Sequence, residues 1–170
     1  MTRRRVGLGL VIAGLVFAAD QASKQWVLHG LDLPARGIVP VLPPVLDLTM
    51  VWNHGVTFGL LQARGPGGVV LLGAVALAVI VGLLVWLRRS ENAVVAAGIG
   101  AIAGGALGNV ADRLRFGMVV DFIHVHAGAT ELFPFVFNIG DSAIVVGVGA
   151  LLLESLLVRR DRLPAVPPPA

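Results

Sequence analysis

Apolar residues in this chain gather into four long blocks divided by shorter polar stretches. The first runs from Val6 to Leu28. Its uninterrupted apolar part, Val6 to Ala19, extends about 21 Å at the helical rise of about 1.5 Å per residue. The second is Gly68 to Leu87, with no ionisable side chain, the third Ala93 to Val110, and the fourth Ile139 to Val158. A helix needs roughly 20 residues to cross a hydrocarbon core of about 30 Å, so each block predicts a membrane-spanning helix. The third carries Gly100, Gly104 and Gly108, a small residue every four positions, which predicts a neighbouring helix packed closely along that face. Trp26 and Trp86 fall near opposite membrane surfaces, where interfacial anchors belong.

The two longer connections, 29–67 and 111–138, lie on one side of such a bundle. In the first, Leu46-Asp47-Leu48-Thr49-Met50-Val51-Trp52 alternates in part and is rich in β-branched residues. Asn53-His54-Gly55 is a turn signal, and Val56-Thr57-Phe58 resumes the pattern. A small hairpin resting on the outer membrane surface is expected there. The fold class is an all-α membrane protein, a four-transmembrane-helix bundle with a small β-hairpin in an outer loop. Residues 1–163 are expected to form one four-span domain. The tail, 164–170, with Pro167-Pro168-Pro169, is expected to be disordered and cytoplasmic.

Composition agrees with the pattern. Apolar residues make up 56% of the chain and charged residues 14%, and mean hydropathy is +0.88, more apolar surface than a soluble domain of 170 residues can bury. Charge sets orientation. Arg3, Arg4 and Arg5 precede the first block, Arg88 and Arg89 separate the second from the third, and Arg159, Arg160 and Arg162 follow the fourth. Eight of the thirteen basic residues thus mark one side as cytoplasmic, with both termini on it. Arg36, Arg64, Arg113 and Arg115 belong to the outer loops. The opening arginines and the apolar run behind them imitate a secretory signal, with Ala18-Ala19 as a weak cleavage cue. The residues from Asp20 to Leu28 supply instead the length of a retained span. Cysteine is absent, which excludes disulfides, thiolate catalysis, cysteine-based zinc sites and lipidation on cysteine.

A few polar residues in this apolar chain need a reason. An aspartate at the centre of a spanning helix costs roughly 2.5–3.5 kcal/mol, and less near its ends. Asp20, Asp112, Asp121 and Asp141 all map to the outer end of the bundle. Asp141 follows Asn138 by three residues, which fits an N-cap and a first-turn acid favoured by the helix dipole. Asp121, inside Gly117-Met118-Val119-Val120-Asp121-Phe122-Ile123, fits a carboxylate accepting backbone N–H groups in a loop. Brought together, the two have a chemical use. Carboxylates about 3 Å apart cannot both ionise, so one would activate water while the other, protonated, polarises a peptide carbonyl. Asp20 and Lys24, one turn apart, fit a salt bridge on one helix face or a lysine reaching toward substrate or lipid headgroups. Asn109, Asp112 and Arg113 fit either the end of the third helix or support for the site. The pair His124-x-His126 is weak evidence for a metal, and no metal or other cofactor is expected. Intramembrane acids also suggest a different class, a small transporter or channel with an outer-face carboxylate relay. Against it, the second block has no polar group and the acids cluster at one end.

These residues, in this order, resemble the bacterial lipoprotein signal peptidases, also called signal peptidase II. The matching pieces are Asp20-Gln21-x-x-Lys24, Asn53-x-Gly55-x-x-Phe58, Gly108-Asn109-x-x-Asp112-Arg113, Val120-Asp121-Phe122-Ile123 and Phe137-Asn138-x-x-Asp141, spread from the first block to the fourth. The resemblance implies a catalytic dyad of Asp121 and Asp141, a site shaped by Asn53, Gly55, Asn109, Arg113 and Asn138, and support from Asp20, Lys24 and Asp112. It implies cleavage of the signal peptide just before a diacylglyceryl-modified cysteine in the bacterial inner membrane, with the site at the outer face. Diacylglyceryl-prolipoproteins and membrane lipid are then the partners. A monomer is expected, and no nucleic acid. Thr57 and Gly140 depart from the family pattern, which has a smaller residue at the first position and alanine at the second.

Overall fold

The computed structural model describes residues 2–55, 65–126 and 135–161. Four long helices fall where the apolar blocks predict them: α1 (Thr2–Gln25), α3 (Gly65–Arg89), α4 (Ala93–Phe116) and α5 (Ile139–Asp161). At its C-terminal end α1 widens into a π-helical turn, Trp26–Gly30, before a short helix α2 (Leu33–Arg36). All four long helices are long and apolar enough to cross a membrane.

The central helix is α4, which packs against α1, α3 and α5. Of its most apolar stretch 61% is buried, against 6% for α3 and 11% for α5, so the outer helices turn Leu15, Val70, Leu71, Val146 and Leu156 outward. Water would penalise such a surface at about 25 cal/mol per Å², whereas lipid accepts it. The glycine stripe is bundle packing. A methyl group on Gly100 would collide with the Gly9 backbone, and one on Gly104 would stand 2.5 Å from the Ala13 carbonyl oxygen, so α1 and α4 approach only because both positions are bare. Asn92 starts α4 by accepting the N–H groups of Val94 and Val95 at 2.7 and 3.3 Å.

Beyond the ends of the helices that carry Asp20 and Asp141 lies a three-stranded antiparallel sheet in the order β1 (Ile38–Leu42), β2 (Leu46–Asn53), β3 (Val119–Val125). Leu48, Val120 and Phe122 beneath it close on Val27, Leu28 and Leu33, forming an apolar seat that fixes the sheet to the π-helical turn and α2. Three expectations change here. The hairpin forms one turn earlier, because Leu46–Asn53 pairs back onto Ile38–Leu42 through Pro43-Pro44-Val45, with Val45 N–H bonded to Leu42 O at 2.7 Å. The expected return strand, Val56-Thr57-Phe58, lies outside the described residues, as does the tail 164–170. Asp121 is not in a loop but in β3, opposite Val51, since the apolar Val119–Ile123 run completes the sheet from the second outer connection. Finally, α4 does not stop at Val110. Asn109, Asp112 and Arg113 find partners without leaving helical geometry. The helix ends at Gly117, whose φ of 74° supplies the left-handed cap and whose N–H reaches Arg113 O at 3.0 Å.

Candidate active site

Asp121 and Asp141 arrive from different elements. Asp121 is carried by β3, buried to 1% exposure, and Asp141 sits in the first turn of α5. Asn138 connects them. Its Nδ2 donates to Asp121 Oδ1 at 2.6 Å, while its Oδ1 accepts the Asp141 N–H at 2.8 Å. Asp141 Oδ2 in turn accepts the Asn138 N–H at 3.3 Å, the reciprocal arrangement of a capping box. The capping role read from the sequence is therefore real, and it places the Asp141 carboxylate beside the residue that also holds Asp121.

Two more amides complete the setting. Asn53, at the end of β2, donates from Nδ2 to Asp121 Oδ2 at 2.8 Å and accepts the Gly55 N–H at 2.8 Å. Asn109, on α4, donates to Asp141 Oδ1 at 2.9 Å. Arg113 donates to Gly55 O at 2.7 Å and Asn109 O at 3.2 Å, and its charge lies in the field of Asp141, Asp121 and Asp112. Burial pushes the Asp121 carboxyl up to about 7, and the negative charge of Asp141 adds to the rise. The amide donors Asn53 and Asn138, and the more distant Lys24 ammonium, pull the other way. A carboxyl raised this far is partly protonated near neutral pH, as a group that donates a proton must be.

Behind the pair, Lys24 is 1% exposed and does not reach a headgroup. Its Nζ lies 2.8 Å from both Asp20 Oδ2 and Asp112 Oδ2 and donates to Asn109 Oδ1 at 3.0 Å. The salt-bridge reading holds, with Asp112 as a second acid. Sequence reasoning assigned Gln21 no role. Its Nε2 donates to Asp112 Oδ1 at 3.0 Å, and its Oε1 accepts from Arg115 at 2.8 Å. The signal was present in an amide placed directly after a buried acid, Asp20-Gln21. His126 lies 3.0 Å from Asp47 on the sheet. Among the described residues no group of three or more His, Asp or Glu side chains is placed to hold a metal.

The family model described as Signal peptidase (SPase) II matches residues 12–157, which take in most of α1 and α5 and all between them. The chain belongs to the signal peptidase II family. A lipoprotein signal peptidase of Methylorubrum extorquens (strain PA1) is 48% identical over 160 residues, covering 92% of this chain and 88% of that protein. That of Rhodopseudomonas palustris (strain TIE-1) is 44% identical over 154 residues, covering 89% and 93%. A bacterial membrane enzyme solved by the in meso method at 2.3 Å superposes with a TM-score of 0.80 at 26% identity over 95% of each chain. Another, at 1.9 Å, gives 0.74 at 28% identity over 88% of this chain and 93% of that one. Signal peptidase II is an aspartic-type peptidase family, which sets the transporter or channel reading aside. The expected four-span bundle forms, and with its three-stranded sheet it superposes on these solved membrane enzymes over most of its length.

Proposed function

We propose that Asp121 and Asp141 are the catalytic pair with which this chain cuts a prolipoprotein just before its diacylglyceryl cysteine. The observation that carries the reading is Asn138, one buried residue hydrogen-bonded to both acids. The Asp141 carboxylate takes a proton from water, whose oxygen attacks the scissile carbonyl carbon, while protonated Asp121 donates to the carbonyl oxygen. Collapse of the tetrahedral adduct breaks the C–N bond. The proton gained by Asp141 goes to the departing amine and Asp121 recovers its own. Asn53, Asn109 and Asn138 hold the two carboxyls in place, Arg113 and Gly55 fix the backbone beside Asn53, and Asp20, Lys24 and Asp112 support them from behind.

The arginine asymmetry supports a chain with both termini in the cytoplasm and this site at the outer face of the bacterial inner membrane. One four-span domain, residues 1–163, acting as a monomer, suffices for the reaction. Substrate reaches such a site along the membrane. Each buried acyl methylene contributes about 0.8 kcal/mol, so two chains supply binding free energy that can place the scissile bond.

The test uses purified protein and one prolipoprotein peptide with or without diacylglycerol on its cysteine. Asp121→Asn and Asp141→Asn should each lower kcat by at least about 10²–10⁴-fold while melting as folded protein. Near-normal turnover by either variant would return that acid to a capping or strand role. Comparable kcat/KM for the two peptide forms would reject lipid-dependent recognition.

A further inference from the structure

The buried ions behind the dyad form a pattern that ion pairing alone does not require. Asp20 uses Oδ2 for Lys24 and turns Oδ1 to the N–H of Gly140 at 2.9 Å. Asp112 uses Oδ2 for Lys24 and, at 3.2 Å, for the N–H of Val120. Gly140 immediately precedes Asp141, and Val120 immediately precedes Asp121. Each acid of the ion cluster therefore holds the peptide N–H next to one member of the dyad, and the same ammonium joins the two acids. We infer that Asp20 and Asp112, bridged by Lys24, are a positioning clamp that sets the placement of Asp121 relative to Asp141. The inference rests on the dyad reading above.

The geometry explains why the clamp is built from charge. The segments it holds come from β3 and from the start of α5, which approach α4 from opposite ends of the second outer connection. Asp20 comes from α1 and Asp112 from α4, so the cation also ties the helix pair that the sheet sits on. All three residues are at most 1% exposed. A buried ion group of this kind stabilises little beyond an apolar packing of the same shape, but it is strict about distance and direction. Gly108 makes room for it. A methyl group there would collide with Asp20 Oδ2, the mobile end of a side chain rather than a backbone atom. Gly108→Ala therefore moves the Asp20 carboxylate without removing any charge.

The clamp is tested in purified, lipid-reconstituted full-length protein with the diacylglyceryl peptide. Asp20→Asn, Asp112→Asn and Gly108→Ala should each lower kcat per folded molecule by up to about 10²-fold, the cost of displacing reacting groups by about 1 Å. KM should stay within about twofold, because the lipid and signal-helix contacts are untouched. The charges around the pair are Asp20 and Lys24 on α1 and Asp112 and Arg113 on α4. Removing a negative one, and separating the dyad, should move the alkaline limb of the kcat profile of both Asp→Asn variants to lower pH. Gly149→Ala, where a methyl group meets nothing within 4 Å, should behave as wild type. Unchanged kcat per folded molecule with an unshifted pH profile would overturn the clamp, including the case where only the yield of folded protein falls. If Asp20→Asn or Asp112→Asn fails to insert, Gly108→Ala alone decides. The dyad reading fails separately, through active Asp121→Asn or Asp141→Asn.

Discussion

Replacing Asn138 with serine separates its two jobs. Serine is as good an N-cap as asparagine, so the start of α5 should survive. Its side chain is too short to reach Asp121, which would lose the amide donor now 2.6 Å from Oδ1 and keep that of Asn53, 2.8 Å from Oδ2. A hydrogen bond to a charged group is worth about 1.5–3 kcal/mol, and one pKa unit corresponds to about 1.36 kcal/mol, so losing it should raise the Asp121 pKa by about 1–2 units. Water entering the space left behind would reduce this toward the lower figure. The sign is fixed by the chemistry: the donor favours the carboxylate, so its removal favours the acid. Asp121 already holds its proton to about 7. The pH at which the pair loses its shared proton, and with it activity, should rise by about one unit in Asn138→Ser. The assay is kcat against pH with the diacylglyceryl peptide at saturation, alongside a melting curve to confirm folding. An alkaline limb that stays in place, or moves to lower pH, would refute the assignment of Asn138 as a donor to the catalytic acid.

Stability should carry the same signature. A carboxyl raised from its ordinary range to about 7 binds a proton in the folded protein that the unfolded chain has released, so its stabilisation is whole below about pH 4 and is lost as pH rises through 7. The melting temperature of wild type minus that of Asp121→Asn should therefore fall across that window and level off above it; a flat difference would remove the raised pKa from the account. Orientation can be read by thiol labelling because the chain has no cysteine of its own. In intact spheroplasts an impermeant reagent should label Arg36→Cys and spare Arg89→Cys, and labelling at position 89 would reverse the proposed topology.

The helices were legible because each needed only length and apolarity, which a run such as Gly68–Leu87 displays without help from distant residues. The sheet was not, because its pairing is long-range. Nothing local in Val119–Val125 says that it will lie against Leu46–Asn53, some seventy residues earlier, and an apolar strand bearing one acid reads equally well as a loop. The end of α4 was missed for a related reason. Asn109, Asp112 and Arg113 look like a helix end in a hydropathy pattern, but their partners are Lys24, Val120 and Gly55 on other elements. Gly140 is legible only with its neighbour in view. A Cβ there would come within 2.9 Å of the Gly105 carbonyl oxygen across the α4–α5 contact, so this chain brings the two helices together at the point where Asp141 begins. Thr57 lies outside the described residues.

Among the described residues, the hydrogen-bond donors to the carboxylates of the proposed dyad are neutral, and the chemistry of the pair explains why. An opposite charge within about 4–6 Å lowers a carboxyl pKa by about 1–3 units. A lysine directly on Asp121 would pull it from about 7 back toward the ordinary carboxylate range, and Asp121 would lose its proton at neutral pH. The acid half of the mechanism would then be absent. Asparagine avoids this. Asn53 and Asn138 give Asp121 direction with a dipole instead of a charge, which lowers its pKa less than burial and Asp141 raise it. The ammonium that the buried acids Asp20 and Asp112 demand is present, but its contact with the dyad passes through an amide. Lys24 Nζ donates to Asn109 Oδ1 at 3.0 Å, and Asn109 Nδ2 donates to Asp141 Oδ1 at 2.9 Å. That chain polarises toward Asp141, the member proposed as the base, while the ammonium acts on Asp121 from further away, beside the amides. The two carboxyls thus differ in their hydrogen-bond donors: Asn53 and Asn138 on Asp121, and Asn109, itself bonded to Lys24, on Asp141.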